Sequence, residues 1–183
     1  MKRILARGSL VLAAAALAST GIALAPANAA TVSQTCKKFT GTVTIKPGLS
    51  TTPGPQTATA TGNLTGCTSA ATTGGAGAIK ATLKLPSNSS CQGLATGKQT
   101  VQIPTSTITW KNKKTSTMAL TAKTGSGSTA TQATITGKVS KGLFPGRPVT
   151  LTIKFTPKSG QDCTPGHPIK NLTIANTKPL VIH

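Results

Sequence analysis

Threonine alternates with apolar or small residues in run after run of this chain, and this period of two constrains the fold more than any other feature. The runs cover residues 39–45, 56–64, 79–85, 101–110, 118–122, 133–139, 149–155, 169–174 and 180–182. Successive side chains of a strand point to opposite faces, so each run can bury one face and leave the other in water. Glycine and proline clusters separate the runs, as at Pro53-Gly54-Pro55. The pattern predicts an all-β fold, an antiparallel β-sandwich or barrel-like sandwich of about eight or nine strands.

The alternation changes phase once within a run. Val101 and Ile103 are on odd positions, whereas Ile108 and Trp110 are on even positions, and Pro104 lies between the two pairs. Proline removes a donor from the hydrogen-bond ladder, so we expect a bend or bulge at this position.

Residues 1–29 have the features of a Sec-type secretory signal peptide. A basic start precedes an uncharged stretch rich in Ala, Leu and Val, and Ala27-Asn28-Ala29 offers small residues to a signal peptidase. A retained membrane anchor is the alternative, although Pro26 and nearby polar residues interrupt the apolar stretch. We expect cleavage near Ala29, a single secreted domain at residues 30–183, an extracellular location and no membrane span in the mature chain.

All four cysteines lie beyond the leader, at Cys36, Cys67, Cys91 and Cys163. An even number of cysteines in an exported chain predicts two disulfides. Three pairings are possible, and we favour Cys36–Cys67 with Cys91–Cys163 because such closure keeps neighbouring strands together. No two cysteines have the spacing of a zinc site and histidines are few, so we predict no metal site and no cofactor.

The charge balance points to anionic partners. Without the three basic residues of the leader, 17 of the 20 lysines and arginines remain against one acid, Asp162, which gives a net charge of +16. A field of this size attracts polyanions such as anionic cell-wall polymers. Arg147 is the single arginine beyond the leader, and lysine is a poor bidentate reader of bases. We therefore expect loose attraction and no sequence-specific recognition of nucleic acid.

The densest positive charge lies next to the only tryptophan, in the stretch Thr-Trp-Lys-Asn-Lys-Lys-Thr-Ser at residues 109–116. Asparagine tolerates the left-handed backbone of tight turns, so the stretch predicts a hairpin with Trp110 at the edge of the core. The alternative is a basic-aromatic binding loop, in which an aromatic ring and positive charge hold a ligand together. Its candidate residues are Trp110, Lys111, Lys113 and Lys114.

Several catalytic centres are excluded by counting. A single acid cannot supply the paired carboxylates of most glycosidases. A serine triad could use only Asp162 with His167 or His183, and no serine elbow accompanies them. A Lys/Ser dyad and an Asp162/His167 site are the enzymatic alternatives. We predict that the protein is not an enzyme and assign no catalytic residue.

Several different short motifs occur along the chain: the Ala-rich leader, Cys36, Pro47-Gly48-Leu49-Ser50, Gly66-Cys67, Thr107-Ile108-Thr109-Trp110 and Cys163. In these the chain resembles small secreted β-rich proteins of actinobacteria. The resemblance implies export and a β-rich fold, and it assigns no catalytic or binding residue.

The sequence therefore predicts a secreted, non-enzymatic β-sandwich protein that acts by binding or at the cell surface through its basic exterior. The alternative is a secreted inhibitor or toxin-like factor with a disulfide-braced loop. Residues 87–93 and 158–168 are the candidate loops for that role.

Overall fold

The computed structural model describes residues 34–68, 75–96, 99–125, 131–161, 163–164 and 166–183. The predicted signal peptide, residues 1–29, lies outside these residues, as does Asp162. The described chain contains eight strands and one short helix. In chain order they are β1 (Gln34–Leu49), β2 (Gln56–Cys67), β3 (Gly77–Leu85), α1 (Cys91–Thr96), β4 (Thr100–Trp110), β5 (Thr115–Thr124), β6 (Gln132–Gly142), β7 (Pro148–Pro157) and β8 (Ile169–Ile182).

The eight strands form a closed barrel. Each strand pairs antiparallel with its neighbours in sequence, and β8 returns to pair with β1. The predicted antiparallel all-β fold is confirmed, and its sheet closes on itself in the barrel form. Closure leaves these strands without an unpaired edge on which another chain could add a strand.

The period of two in the sequence becomes the inner and outer faces of the barrel. In β7, Val149, Leu151 and Ile153 are buried in the interior while Lys154 is exposed. In β3, Ala81 is buried and Lys80 is exposed. The hydrophobic effect selects this register, because a slip of one residue would turn every apolar side chain of the strand into water.

Three local features refine the predicted pattern. The register of β4 against β5 shifts between Ile103 and Ser106, which confirms the irregularity expected at Pro104. The last two alternating runs belong to a single strand, β8, whose register against β7 shifts near Lys178. The helix α1 has six residues and lies in the connection between β3 and β4, where the sequence showed no helical periodicity.

Both favoured disulfides are present. Cys36 and Cys67 face each other in the β1–β2 register, with their Cα atoms 3.9 Å apart. Cys91 and Cys163 join the start of α1 to the connection between β7 and β8, with a Cα separation of 6.1 Å. The second bridge thus links two connections that leave the same end of the barrel.

The up-and-down order gives the barrel two different ends. At the closed end, which carries the β2–β3, β4–β5 and β6–β7 connections, the strands bring together side chains that are at most 1% exposed. These are Leu64, Ile108, Trp110, Leu180 and Ile182. The opposite end, here named the loop end, carries the β1–β2, β3–β4, β5–β6 and β7–β8 connections together with α1.

Candidate functional site

The lysine-rich stretch forms the hairpin between β4 and β5 at the closed end. The Trp110 amide donates to the Lys114 carbonyl at 2.9 Å, and the Lys113 amide donates to the Trp110 carbonyl at 2.9 Å. Lys113 has the left-handed backbone, with φ of 65°. Asn112, expected to take that conformation, instead accepts a hydrogen bond from the Lys114 amide on its Oδ1 at 3.1 Å.

The indole of Trp110 is part of the core, with 1% of the residue exposed. Its Nε1 donates to Ser116 Oγ at 2.8 Å, and Ser116 Oγ donates to the Leu143 carbonyl at 2.8 Å. The ring of Phe144 meets it edge-on, with ring centres 6.0 Å apart. Trp110 therefore has no free face on which a surface ligand could stack.

The other three candidate residues of the loop, Lys111, Lys113 and Lys114, are exposed at the hairpin tip. Of the predicted basic-aromatic site, the structure thus places the three lysines at the exposed hairpin tip and the aromatic ring in the interior. What remains at the tip is a cluster of positive charge without a stacking surface.

The other lysines among the described residues are spread around the outside of the barrel. Every lysine among the described residues is exposed, and Arg147 is half-buried. Neutral residues face them across the strands, as in the pairs Lys38 with Thr65, Lys80 with Thr107 and Lys141 with Thr117. Like charges placed directly opposite each other destabilise a sheet, and this register avoids them.

A cavity of about 170 Å³ lies inside the barrel and is lined by side chains from all eight strands. Among its described lining residues, Ser106 and Thr124 carry hydroxyl groups and the others are apolar. Sequence reasoning missed this cavity. The signal that could have indicated it is the row of small inward residues on β2 and β3, namely Ala58, Ala60 and Ala81.

The candidate inhibitor loops lie at the loop end, where the Cys91–Cys163 bridge connects them. Residues 87–93 match the expected exposed loop only in part: Ser87 and Asn88 are exposed, whereas Ser89 and Ser90 are buried and α1 begins at Cys91. Within 158–168, residues Lys158, Ser159 and Gly160 are exposed. Gln161 Oε1 fixes this turn to β8 by accepting the amides of Lys170 at 2.8 Å and Asn171 at 2.7 Å.

The enzymatic alternatives gain no support from the placement of His167. Its ring is exposed, and Nδ1 lies 3.3 Å from the Gly160 carbonyl oxygen. In the described part of the chain, no three residues among His, Cys, Asp and Glu are grouped so that they could hold a metal ion. No helix within the described ranges is long and apolar enough to cross a membrane.

Comparisons with protein-family models, with curated protein sequences and with solved structures find no match to this chain.

Proposed function

We propose that this chain is an exported, non-enzymatic binding protein, held at the cell exterior by attraction between its basic barrel and anionic polymers such as those of the cell wall. The observation that carries the proposal is the exposure of every described lysine on a chain whose sequence contains one acid. Charges that are exposed and not neutralised by nearby carboxylates sum to a positive field around the molecule.

The chemistry of the exposed groups favours loose binding over the recognition of one ligand. Lysine presents a hydrated point charge on a flexible stem, whereas fixed recognition of phosphate groups usually relies on the planar fork of arginine. The lysines are distributed over many strands, as at Lys80 in β3, Lys138 in β6 and Lys154 in β7. A polymer carrying many anionic groups can meet such a surface in many orientations.

Export and the lack of enzymatic activity belong to the same proposal. Two disulfides are typical of proteins that leave the reducing cytosol, and this supports export. The single acid in the sequence and the exposed position of His167 favour a role in binding rather than catalysis.

The test is retention of the mature protein on isolated cell walls and on a heparin resin during a NaCl titration. We expect retention at low ionic strength and release as the Debye length falls to about 8 Å near 0.15 M salt and below that at higher salt. The proposal would be contradicted if the protein is not retained at low salt, or if its retention does not change with the salt concentration.

Two variants with equal loss of charge show whether the attraction is diffuse. One replaces Lys111, Lys113 and Lys114 at the hairpin tip with Gln, and the other replaces Lys80, Lys138 and Lys154 on separate strands with Gln. A diffuse field predicts that both variants elute earlier by similar amounts of salt. A much larger shift for the tip variant would instead define the hairpin as a local binding site.

A secreted inhibitor or toxin-like factor is the second candidate, and the exposed turn at Lys158–Gly160, fixed by Gln161 and the adjacent bridge at Cys163, favours it. Rigid exposed loops bind with a smaller loss of conformational entropy. Inhibition of a secreted protease that is abolished by substitutions at Lys158 and Ser159 would support this candidate, and the lysine variants on β3, β6 and β7 would leave that inhibition unchanged.

A further inference from the structure

The interior of the barrel contains a cavity whose chemistry is independent of the charged exterior. Its cavity of about 170 Å³ is larger than the voids that close-packed interiors usually contain. An apolar protein cavity of about 150 Å³ is known to stay dry and to bind a molecule the size of benzene. The space inside this barrel is therefore sufficient for one small organic molecule.

The cavity follows from small side chains at inward positions. Ala60 of β2 and Ala81 of β3 are directly opposite each other in the register, and both line the cavity. Ala122 of β5 lines it from another strand. An eight-stranded barrel is just wide enough to be filled by its own side chains or to hold one small ligand. With alanines at these positions, the side chains do not fill it.

The chemistry of the lining selects the class of ligand. No charged side chain is among the described lining residues, and one of the two hydroxyls, that of Thr124, is occupied at the strand end. Thr124 Oγ1 accepts the Gln99 amide at 2.9 Å and lies 3.4 Å from the Gln99 carbonyl. A charged group in this space would lose its hydration without gaining partners, so a neutral apolar molecule is favoured.

The two ends of the barrel differ in how they enclose the cavity. The closed end is sealed by side chains such as Trp110 and Ile182, which are 1% and 0% exposed. Part of the loop end is covered by a second buried cluster, formed by Ile45 and Leu49 of β1 and Ala58 of β2. On the other side of this end, the lining residues Thr124 and Phe155 lie at or near the ends of β5 and β7 and are partly exposed. A ligand would reach the cavity from the loop end.

We propose that the barrel binds one neutral apolar molecule, an alkyl chain of about six to eight carbons or a single aromatic ring, inserted from the loop end. The probes are neutral n-alkanols from butanol to dodecanol, titrated into the mature protein by calorimetry. Affinity should rise about fourfold for each added methylene until the cavity is full, and then level off. Because the probes carry no charge, NaCl should leave their affinity nearly unchanged, which separates this site from the lysine surface.

Two alanines on one strand provide a matched pair of variants. Ala81→Leu places three extra carbons inside the barrel, whereas Ala78→Leu adds the same carbons at an exposed position of β3. We expect Ala81→Leu to weaken octanol binding at least tenfold and Ala78→Leu to leave it unchanged. If Ala81→Leu does not fold, Ala60→Val supplies a smaller filling of the same wall. Three outcomes would overturn the proposal. The first is an affinity that keeps rising with chain length and does not level off, and the second is the absence of saturable binding. The third is unchanged octanol binding in a folded Ala81→Leu or Ala60→Val variant.

Discussion

At the residue scale, the buried hydroxyl of Ser116 connects β4 to the connection between β6 and β7 at the closed end. It accepts the indole N–H of Trp110 and donates to the Leu143 carbonyl. Ser116→Ala would leave the indole N–H buried without its partner, which should lower the free energy of unfolding by about 1–3 kcal/mol. Urea unfolding followed by the fluorescence of Trp110, the only tryptophan, measures the loss directly.

Ser140→Ala is the control for this prediction, because Ser140 is exposed and its hydroxyl donates to the Thr117 carbonyl at 3.0 Å. Removal of an exposed hydrogen bond should cost less than about 1 kcal/mol, since water replaces the lost partner. Equal losses for the two serines would show that the buried bond to the indole contributes no more to stability than an exposed hydrogen bond.

The sequence predicts part of this arrangement. Period-two alternation places Trp110 toward the core and the lysines at the hairpin tip, and the structure agrees. It does not reveal the role of Ser116, because a serine on the apolar phase of a strand is recognisable as a buried acceptor only when its partner is known. It also does not place the left-handed residue at Lys113, because that depends on how the turn closes.

At the scale of elements, the seam between β1 and β8 depends on the side chain of Asn176. The register of β1 against β8 shifts between Cys36 and Thr40, and Asn176 bonds to the backbone there. Its Oδ1 accepts the Phe39 amide at 2.8 Å, and its Nδ2 donates to the carbonyls of Lys37 at 2.9 Å and Lys178 at 3.0 Å. One amide side chain thus provides hydrogen bonds where the ladder is interrupted.

Asn176→Ala should therefore lower the free energy of unfolding by about 1–3 kcal/mol and speed hydrogen exchange at the Phe39 amide. Chemical unfolding and amide exchange measured by NMR provide the two readouts. The matched control is Asn63→Ala at an exposed position of β2, which should stay within about 0.5 kcal/mol of the parent. Unchanged protection of the Phe39 amide in Asn176→Ala would mean that the seam closes without this side chain.

The irregular register of β8 also explains why the sequence predicts two strands where the structure has one. Local alternation identifies each strand, because the period of two needs no knowledge of partners. The interruption Asn176-Thr177-Lys178-Pro179 divides β8 into two runs in the sequence, while in the structure it lies within one strand at its shifted register. The short helix α1 escapes prediction because six residues cannot display a helical period.

At the scale of the whole molecule, the alternating runs are compatible with a sandwich and with a barrel, since both bury one face of every strand. The deciding contact is the pairing of β1 with β8, which joins the two ends of the described chain and has no local signature. The cavity is a consequence of that closure. In the sequence, the inward alanines look like ordinary core residues. That they leave a cavity becomes clear only when the strands on the opposite side of the barrel are known.

The excess of positive charge should also control the stability of the whole barrel. Residues 30–183 contain 17 lysines and arginines and one acid, so folding brings like charges together with a single carboxylate side chain to offset them. Raising NaCl from about 10 mM to about 150 mM shortens the Debye length from about 30 Å to about 8 Å and screens this repulsion. We expect the Tm, measured by circular dichroism, to rise over this range. The variant with Gln at Lys80, Lys138 and Lys154 should show a weaker dependence, because it has less repulsion to screen. A Tm that falls with salt over the same range would mean that attractive contacts, and not repulsion among the lysines, dominate the electrostatics of the fold.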